Sequence, residues 1–301
     1  MDFESPNVVV PSVQELAKDP NVVTVPQRYI RYDQTQIQTN SSSVISSDQK
    51  IPVIDFQNLL LDNSELYESE LNKLHSACKE WGFFQLVNHG VSNSLVEKLK
   101  QGVEELFKLP IEEKKKLWRK QGDKEGFGDP GVLTDEQILD WKDVLFLFTL
   151  PVALRNPHLF PNISPLLSIH CYPPCLQPEQ VEGIAPHSDS TGITFLLQLN
   201  QVEGFQVKKD GMWVPVKPLP DAFIVNIGDL LEHRAIVNST DERMSIATFL
   251  NSNEDCEIGP SHSLITQQNP AIYKTMSSKD YIKSMFSREY NGKSHIDAFK
   301  L

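Results

Sequence analysis

Gly183-Ile-Ala-Pro-His187-Ser-Asp189-Ser-Thr-Gly-Ile-Thr-Phe-Leu-Leu197 is the stretch around which the rest of the chain is organised. A histidine and an aspartate two residues apart on an extended strand point to the same face of a sheet. They would place one imidazole and one carboxylate side by side, as two ligands for a metal ion. The chain contains eight histidines, so a single His-x-Asp pair is a weak signal that depends on its context.

His233 is the candidate third ligand. It begins the segment His233-Arg-Ala-Ile-Val-Asn, which follows a predicted strand over 222–227. With the first pair it would complete a set of two histidines and one carboxylate, which suits non-haem iron(II) with open coordination positions. The competing interpretation of each histidine alone is a packed, hydrogen-bonded residue that binds no metal.

A candidate carboxylate-binding site follows in the next predicted strand. Arg243 and Ser245 share one face of that strand, where the guanidinium can bind a carboxylate through two hydrogen bonds and the hydroxyl can donate a third. Tyr172, upstream of the first histidine, adds a phenol within reach of the same carboxylate. A surface or structural arginine is the alternative for Arg243 taken alone.

Length and composition allow one large domain, or one domain with appendages. The chain has 301 residues, of which 40% are hydrophobic and 23% are charged, close to the averages of globular proteins. Its net charge of −12 argues against nucleic acid or an anionic membrane as a partner, because nothing offsets the repulsion of phosphates. The sequence therefore predicts a globular protein that binds neither.

Four scattered cysteines lack the spacing of a zinc site and predict reduced thiols. The first residues, Met-Asp-Phe-Glu-Ser-Pro, are acidic and contain no apolar signal-peptide core. No apolar run approaches the length that spans a membrane. A cytoplasmic protein is the expectation on these grounds.

Helical spacing marks parts of the first half of the chain, whereas the second half contains mainly short strands. Helices are predicted over 64–80 and 92–108. From residue 169 on, turn signals such as Lys209-Asp-Gly-Met212 separate short apolar runs, a pattern typical of a sandwich or jelly roll. The strand candidates in this half are 193–199, 205–209, 212–216, 222–227, 234–237 and 244–250.

From about residue 8 to its end, the chain resembles the plant 2-oxoglutarate- and iron(II)-dependent dioxygenases. The segments that carry the resemblance, in the family's order, are Ile51-Pro-Val-Ile-Asp, Trp81-Gly-Phe-Phe-Gln-Leu-Val-Asn-His-Gly-Val, Tyr172-Pro-Pro-Cys, His187-x-Asp189, His233-Arg and Arg243-x-Ser245. Within the family the chain is similar to the branch of alkaloid O-demethylases and norcoclaurine-synthase-like or senescence-related proteins. The local grounds are Pro11-Ser-Val-Gln-Glu-Leu-Ala, Arg155-Asn-Pro-His-Leu-Phe-Pro and Leu219-Pro-Asp-Ala-Phe.

The resemblance implies a mixed α and β fold, with a double-stranded β-helix core (a cupin-like jelly roll) and an N-terminal region of helices and strands. The expected regions are an arm and linker over 1–50, the N-terminal dioxygenase region over 51–160, the jelly-roll core over 169–260 and a helical tail over 261–301. The implied metal ligands are His187, Asp189 and His233, and the implied 2-oxoglutarate residues are Tyr172, Arg243 and Ser245. No catalytic residue beyond the metal centre is implied.

The activity implied by the resemblance is oxidation of a small aromatic specialised metabolite, by hydroxylation or O-demethylation, with release of succinate and CO2. Iron(II) would be the cofactor, 2-oxoglutarate and O2 the cosubstrates, and ascorbate an activator. A monomer is expected.

Two internal stretches are shorter than in the family pattern. One precedes Tyr172, where relatives carry a long helical region, and the other lies between Glu232 and His233, where relatives carry a turn and half a strand. These gaps favour the alternative of a catalytically impaired splice-type variant or an inactive paralogue that binds a small molecule or a partner. A cupin-like protein that binds zinc or manganese is a further alternative, but Arg243-x-Ser245 would have no purpose in it.

Overall fold

The fold is described from a computed structural model. The structure describes residues 10–32, 51–61, 64–120, 125–129, 134–148, 167–253, 255–286 and 296–301, together with the single positions 123, 132, 156 and 159. The first of the two shortened stretches falls largely on residues 160–166, outside the described residues.

Helices cluster in the N-terminal half of the described chain. The α-helices are α1 (Val13–Lys18), α2 (Glu65–Ser76), α3 (Asn93–Lys108), α4 (Ile111–Lys115) and α5 (Ser278–Phe286). Both helices predicted from spacing are present as α2 and α3. α2 is shorter than expected, because a π-helical turn over Ala77–Trp81 follows it and ends at Gly82, whose φ is +69°. None of the described helices is long and apolar enough to cross a membrane.

Strands dominate the second half of the chain, as predicted. The strands are β1 (Val53–Asp55), β2 (Phe83–Val87), β3 (Gly126–Phe127), β4 (Asp143–Leu147), β5 (Leu167–Tyr172), β6 (Ile184–His187), β7 (Ile193–Gln198), β8 (Phe205–Lys209), β9 (Met212–Pro215), β10 (Phe223–Ile227), β11 (His233–Ala235), β12 (Arg243–Leu250), β13 (Glu257–Ile258) and β14 (Met276–Ser277). All six strand candidates are confirmed as elements. The boundaries of 205–209 are identical to those of β8, and the other boundaries differ by at most two residues.

Two sheets pack face to face. The larger has eight strands in the order β1-β2-β10-β7-β12-β5-β4-β3, and the smaller has the order β6-β11-β8-β9. Their facing side chains share one buried cluster, to which the large sheet gives Leu196 and Ala247 and the small sheet gives Val207 and Val214. This arrangement confirms the predicted mixed fold with a jelly-roll core.

The outer face of the large sheet is covered by α3. Along β12, Met244 and Ile246 point outward and pack with Val103 and Phe107 of that helix. Because side chains alternate along a strand, the residues between them point inward, toward the small sheet. The inner face therefore receives the polar residues of β12, which include the predicted carboxylate-binding pair.

The N-terminal arm is anchored at Asp143, the first residue of β4. Ser12 caps α1, as its hydroxyl accepts a hydrogen bond from the amide of Glu15. The same hydroxyl donates to Asp143 Oδ2 at 2.6 Å, and the amide of Val13 donates to Asp143 Oδ1 at 2.7 Å. The arm is therefore fixed to the start of β4, the strand next to β5 in the large sheet.

All four cysteines of the sequence lie in the described part of the chain, and none is in a disulfide. Cys171 and Cys175 are buried, Cys78 is half-buried and Cys256 is exposed. Burial raises the pKa of Cys171 well above its ordinary value and raises that of Cys175 to about 11. The two buried thiols are therefore held protonated and unreactive.

Candidate metal and carboxylate-binding site

The three predicted metal ligands meet between the two sheets. His187 ends β6 and His233 begins β11, and the two are register partners in this antiparallel pair. Their ring centroids lie 4.2 Å apart. The Nε2 atom of each ring lies 3.6 Å from Oδ1 of Asp189, and the potential ligand atoms of all three residues lie within 4.8 Å of one another.

Backbone carbonyls fix which ring nitrogen of each histidine is free. His187 Nδ1 lies 2.7 Å from the carbonyl oxygen of Ala185, and His233 Nδ1 lies 3.1 Å from that of Leu231. A carbonyl only accepts, so Nδ1 carries the proton in both rings and donates it. Nε2 is left with its lone pair directed toward Asp189, the state that a metal requires of a histidine ligand.

The large sheet orients the carboxylate. Oδ2 of Asp189 accepts a hydrogen bond from Thr194 Oγ1 at 2.6 Å and one from Asn226 Nδ2 at 2.8 Å. Thr194 is on β7 and Asn226 is its register partner on β10. With Oδ2 engaged in this way, Oδ1 faces the two histidines as the third donor atom.

Burial and neighbouring groups shift the pKa values of His187 and Asp189 toward the metal-binding form of each group. The pKa of His187 is lowered to about 3, because burial and the adjacent His233 disfavour a charged ring. Burial acts to raise the pKa of Asp189, but His233, His187 and the two hydrogen bonds to Oδ2 outweigh it and lower the pKa. A neutral imidazole and an ionised carboxylate are the forms that bind metal.

Acid should destabilise the metal-free protein, because folding lowers the pKa of His187 and this ring therefore resists protonation only in the folded state. Below the unfolded pKa of about 6.5, the unfolded chain binds a proton that folded His187 does not, so the free energy of unfolding falls by about 1.4 kcal/mol per pH unit for this group until the folded pKa is reached. His170 contributes in the same direction, since burial and then Lys142 lower its pKa well below the usual value. Urea unfolding at about pH 7 and about pH 5 measures the loss. We expect a smaller loss of unfolding free energy between these two pH values in a His170→Asn variant. An equal loss in the variant and the wild type would contradict this assignment.

The predicted carboxylate-binding residues are also brought together, on β5 and β12. Arg243 and Tyr172 are register partners on these strands. The guanidinium carbon of Arg243 lies 5.0 Å from the centre of the Tyr172 ring, and Nη1 donates to Ser245 Oγ at 3.4 Å. Nη2 donates to Gln198 Oε1 at 3.1 Å.

Arg243 has the environment of an anion site. Its side chain is only 2% exposed, its Nε is buried without a hydrogen-bond partner, and it forms no ion pair with a carboxylate of the described residues. Burial lowers its pKa, against an opposing effect of Tyr172, but a guanidinium stays charged in proteins. Since a buried cation without a counter-charge is costly, an anionic ligand is the group that would balance it.

His170 lies on β5, close to both parts of the site. It faces Ser245 across the β5–β12 pair and stacks on Tyr172 at a centroid distance of 5.9 Å. Both Arg243 and His187 contribute to its lowered pKa, so it lies within electrostatic reach of both parts of the site. Its Nε2 is 2.8 Å from Ser168 Oγ, whereas Nδ1 is buried without a hydrogen-bond partner.

Sequence reasoning missed the residues that orient the ligands. Asn226 had a detectable signal, because an amide inside the buried run Phe223-Ile-Val-Asn-Ile needs a hydrogen-bond partner. Gly204 had a weaker signal, because a single glycine only hints at close packing. In the structure, a Cβ at this position would lie 2.6 Å from the carbonyl oxygen of Ile236 and 3.0 Å from Cδ of Arg243. Thr194 and Gln198 alternate with apolar residues on β7 and could not be told from surface positions.

The second shortened stretch does not prevent the site from assembling. A single 3-10 turn over Gly228–Leu230 links β10 to β11. Gly228 packs against the loop that follows Asp189, since a Cβ there would lie 2.4 Å from the carbonyl oxygen of Thr191. The neighbouring Asp229 accepts hydrogen bonds from the Ser188 hydroxyl and from the amide of Ile296. The short connection thus leads directly into the strand that begins with the second histidine.

Two protein-family models match the chain. Residues 51–165 match the family described as non-haem dioxygenase in morphine synthesis N-terminal, and residues 163–252 match the 2OG-Fe(II) oxygenase superfamily. The second match contains all three candidate metal ligands and the three candidate cosubstrate residues.

Relatives and a solved structure extend the similarity to almost the whole chain. Protein SRG1 of Arabidopsis thaliana is 42% identical, over 98% of this chain and 97% of the relative. The oxoglutarate-dependent flavonoid 7-O-demethylase 1 of Ocimum basilicum is also 42% identical, over 97% of this chain and 91% of the relative. The crystal structure of JOX2 in complex with 2OG, Fe and JA is 31% identical and covers 99% of this chain and 100% of that chain, with a TM-score of 0.84.

The chain therefore belongs to the 2OG-Fe(II) oxygenase superfamily and is a 2-oxoglutarate-dependent dioxygenase of the plant type. The internal shortening is also visible in the comparison with SRG1. That alignment spans 353 positions, so at least 52 of them have no residue in a chain of 301.

Proposed function

We propose that this protein oxidises a small aromatic substrate at a carbon–hydrogen bond, using iron(II), 2-oxoglutarate and O2, and that O-demethylation is its reaction. The observation that carries the proposal is the joint presence of a complete His187–Asp189–His233 donor set and a buried, uncompensated Arg243 on the facing sheet. One arrangement suits a metal with open positions and the other suits a dicarboxylate.

The donor set fits iron(II) in its chemistry. Two neutral imidazole nitrogens and one ionised carboxylate oxygen are presented by His187, His233 and Asp189, and backbone or side-chain hydrogen bonds occupy the opposite atom of each group. The chemistry that bound iron(II) would supply is oxidative decarboxylation of 2-oxoglutarate to succinate and CO2, coupled to oxidation of a C–H bond.

The protein's own residues would bind and orient the cosubstrate. Arg243 would donate two hydrogen bonds to the carboxylate of 2-oxoglutarate that is distant from the metal, with the Ser245 hydroxyl as a further donor and the Tyr172 ring as one wall. Gln198 holds the guanidinium in position, because its amide nitrogen donates to two backbone carbonyls and turns its oxygen toward Arg243. Burial excludes water, which would compete for the same hydrogen bonds.

O-demethylation is supported by the relatives' chemistry. A relative of 42% identity is named as a flavonoid 7-O-demethylase, and codeine and thebaine demethylases are similar over nearly the whole chain. Oxidation of an O-methyl carbon gives a hemiacetal, which separates into formaldehyde and a free hydroxyl group. The balanced reaction converts the methyl ether, 2-oxoglutarate and O2 to the demethylated product, formaldehyde, succinate and CO2.

Anaerobic spectroscopy tests the proposed cofactors without knowledge of the substrate. Addition of iron(II) and 2-oxoglutarate to the full-length protein should produce a weak visible charge-transfer band, and a His187→Ala variant should lack it. Absence of the band from the wild-type chain, with both components in excess, would contradict the proposal. It would also favour the alternative of a protein that binds a ligand without catalysis.

A panel of aryl methyl ethers tests the reaction. Each ether is paired with the analogue that lacks the methoxyl group, and succinate and formaldehyde are both measured. O-demethylation predicts equal amounts of the two products from the ethers. Succinate without formaldehyde would instead indicate hydroxylation at another carbon.

The proposal also includes ascorbate as an activator and a monomeric protein in the cytoplasm. The cytoplasmic location is supported by the four unpaired cysteines, and the monomer by the plant dioxygenase resemblance. Gel filtration with light scattering measures the mass in solution, and omission of ascorbate from the turnover assay measures its effect.

A further inference from the structure

One backbone residue connects His187 to a charged side chain outside the metal set. β6 is an edge strand of the small sheet, so one side of it has no neighbour among the described strands. On this strand the amide of Ala185 donates to Asp140 Oδ1 at 3.1 Å, and the carbonyl of Ala185 accepts the Nδ1 proton of His187 at 2.7 Å. Asp140 therefore holds the residue that fixes the orientation of a candidate metal ligand.

Asp140 is held in turn by two cations. Arg31 Nη2 lies 2.7 Å from Oδ1, and Lys142 Nζ lies 3.2 Å from Oδ2. Lys142 also pairs with Asp129 Oδ2 at 2.9 Å. Burial acts to lower the pKa of Lys142, but the two carboxylates outweigh it and raise the pKa. Both carboxylate oxygens of Asp140 therefore form ion pairs, which hold the side chain in place.

The arm residue Arg31 contacts the framework of the second histidine as well. Its Nε lies 3.3 Å from Glu182 Oε2, and Arg234 Nη1 lies 3.6 Å from Glu182 Oε1. Glu182 is only 1% exposed, and Arg234 directly follows His233 on β11. A single guanidinium of the N-terminal arm is therefore linked to both histidine-bearing strands. It reaches β11 through the ion pairs of Glu182, and it reaches β6 through Asp140 and the hydrogen bond from the amide of Ala185.

The arm lies outside both regions that match the family models, which begin at residue 51. We propose that Asp140 is a positioning residue for the metal site, clamped by Arg31 of the arm and by Lys142, and that it orients His187 through Ala185. The inference rests on the proposed iron site. Two physical facts support the proposal. An edge strand has amides with no strand partner, and the groups that contact a metal ligand from outside determine the ligand's orientation and the affinity for the metal.

Metal affinity of the folded protein is the direct test. Co(II) is used as an oxygen-stable probe, and its binding and visible spectrum are followed in the full-length chain with and without 2-oxoglutarate. Asp140→Ala should weaken Co(II) binding by about 10- to 100-fold, the usual cost of removing an outer-shell partner. It should also alter the spectrum, because the imidazole of His187 is no longer held in place.

Arg31→Gln and Arg28→Gln form a matched pair on the same arm. Within the described part of the chain, the Arg28 side chain donates only to the backbone carbonyls of Gln137 and Thr134, so its replacement should leave Co(II) affinity unchanged. Arg31→Gln should weaken Co(II) binding by a smaller factor than Asp140→Ala, since Lys142 still holds Asp140. Asp140→Asn keeps an oxygen for the amide of Ala185 but loses the charge, so it should fall between Asp140→Ala and the wild type.

The outcomes separate this inference from the proposed function. A wild-type chain that binds neither Co(II) nor 2-oxoglutarate contradicts the proposed function itself. A wild-type chain that binds both, with unchanged Co(II) affinity and spectrum in Asp140→Ala, overturns the positioning role. A purely structural role would lower the melting temperature while leaving the affinity of the folded protein intact. If Asp140→Ala does not fold, Asp140→Asn and Arg31→Gln decide the question by the same two measurements.

Discussion

A His233→Ala variant should lose metal binding almost completely. His233 would supply one of the three donor atoms. Its Nε2 lies 3.6 Å from Oδ1 of Asp189, and the residue is only 6% exposed. Removal of groups one shell beyond a metal costs about 10- to 100-fold in affinity, so loss of a ligand itself should exceed about 100-fold. Isothermal titration with Co(II) or Mn(II) measures this directly, without a substrate.

His262→Ala is the matched control. His262 is exposed in a 3-10 turn near the C-terminal end, and its replacement should change neither metal affinity nor the melting temperature. If His233→Ala kept wild-type affinity while folding normally, the metal would have to lie elsewhere. The short connection between β10 and β11 would then have displaced the histidine from its family role.

Replacement of Arg243 by methionine should have the largest effect on cosubstrate binding. Truncation of one partner of a buried, hydrogen-bonded charge pair costs about 2–5 kcal/mol. This corresponds to an increase of about 30- to 4,000-fold in the Kd for 2-oxoglutarate. The cost arises because the carboxylate that is distant from the metal would be buried in the variant with no opposite charge. In the wild type it would pair with the buried guanidinium of Arg243.

Metal binding without 2-oxoglutarate is the internal control for Arg243→Met. Co(II) affinity should remain at the wild-type level, because Arg243 makes no contact with the three donor groups among the described interactions. Ser245→Ala should raise the Kd for 2-oxoglutarate by a smaller factor, of about 10- to 140-fold, since one hydrogen bond to a charged group contributes about 1.5–3 kcal/mol. Equal 2-oxoglutarate affinity in Arg243→Met and the wild type would contradict the proposal that Arg243 binds the carboxylate.

The sequence alone identified much of the fold. Alternating apolar residues and turn signals such as Asp210-Gly211 mark strands by local rules, so six strands of the second half could be placed within one or two residues. The short strand Gly126–Phe127 carries no such local signal. It pairs with β4 only because Gly126, at φ +122°, lets the chain pass close to Arg119, and no local pattern reveals that contact.

The donor types of the site were also readable in the sequence. Side chains suited to metal binding and carboxylate binding occur in the order His187-x-Asp189, His233 and Arg243-x-Ser245, and members of each x-spaced pair share a predicted strand face. The resemblance assigns a role to each of them. The sequence could not show whether a connection shortened before His233 still brings its ring beside the first pair. That depends on the register of β11 with β6, which long-range hydrogen bonds set.

Only the tertiary structure decided which residues support the ligands. Thr194, Asn226, Asp140 and Arg31 come from four separate segments, and their hydrogen bonds or ion pairs span up to 109 residues of sequence. Such contacts leave no spacing pattern, because they form when two sheets and an N-terminal arm pack together. The sequence by itself determined which chemical groups the protein has for holding a metal and a dicarboxylate. The packing of distant segments determined that these groups face one another with the correct atoms free.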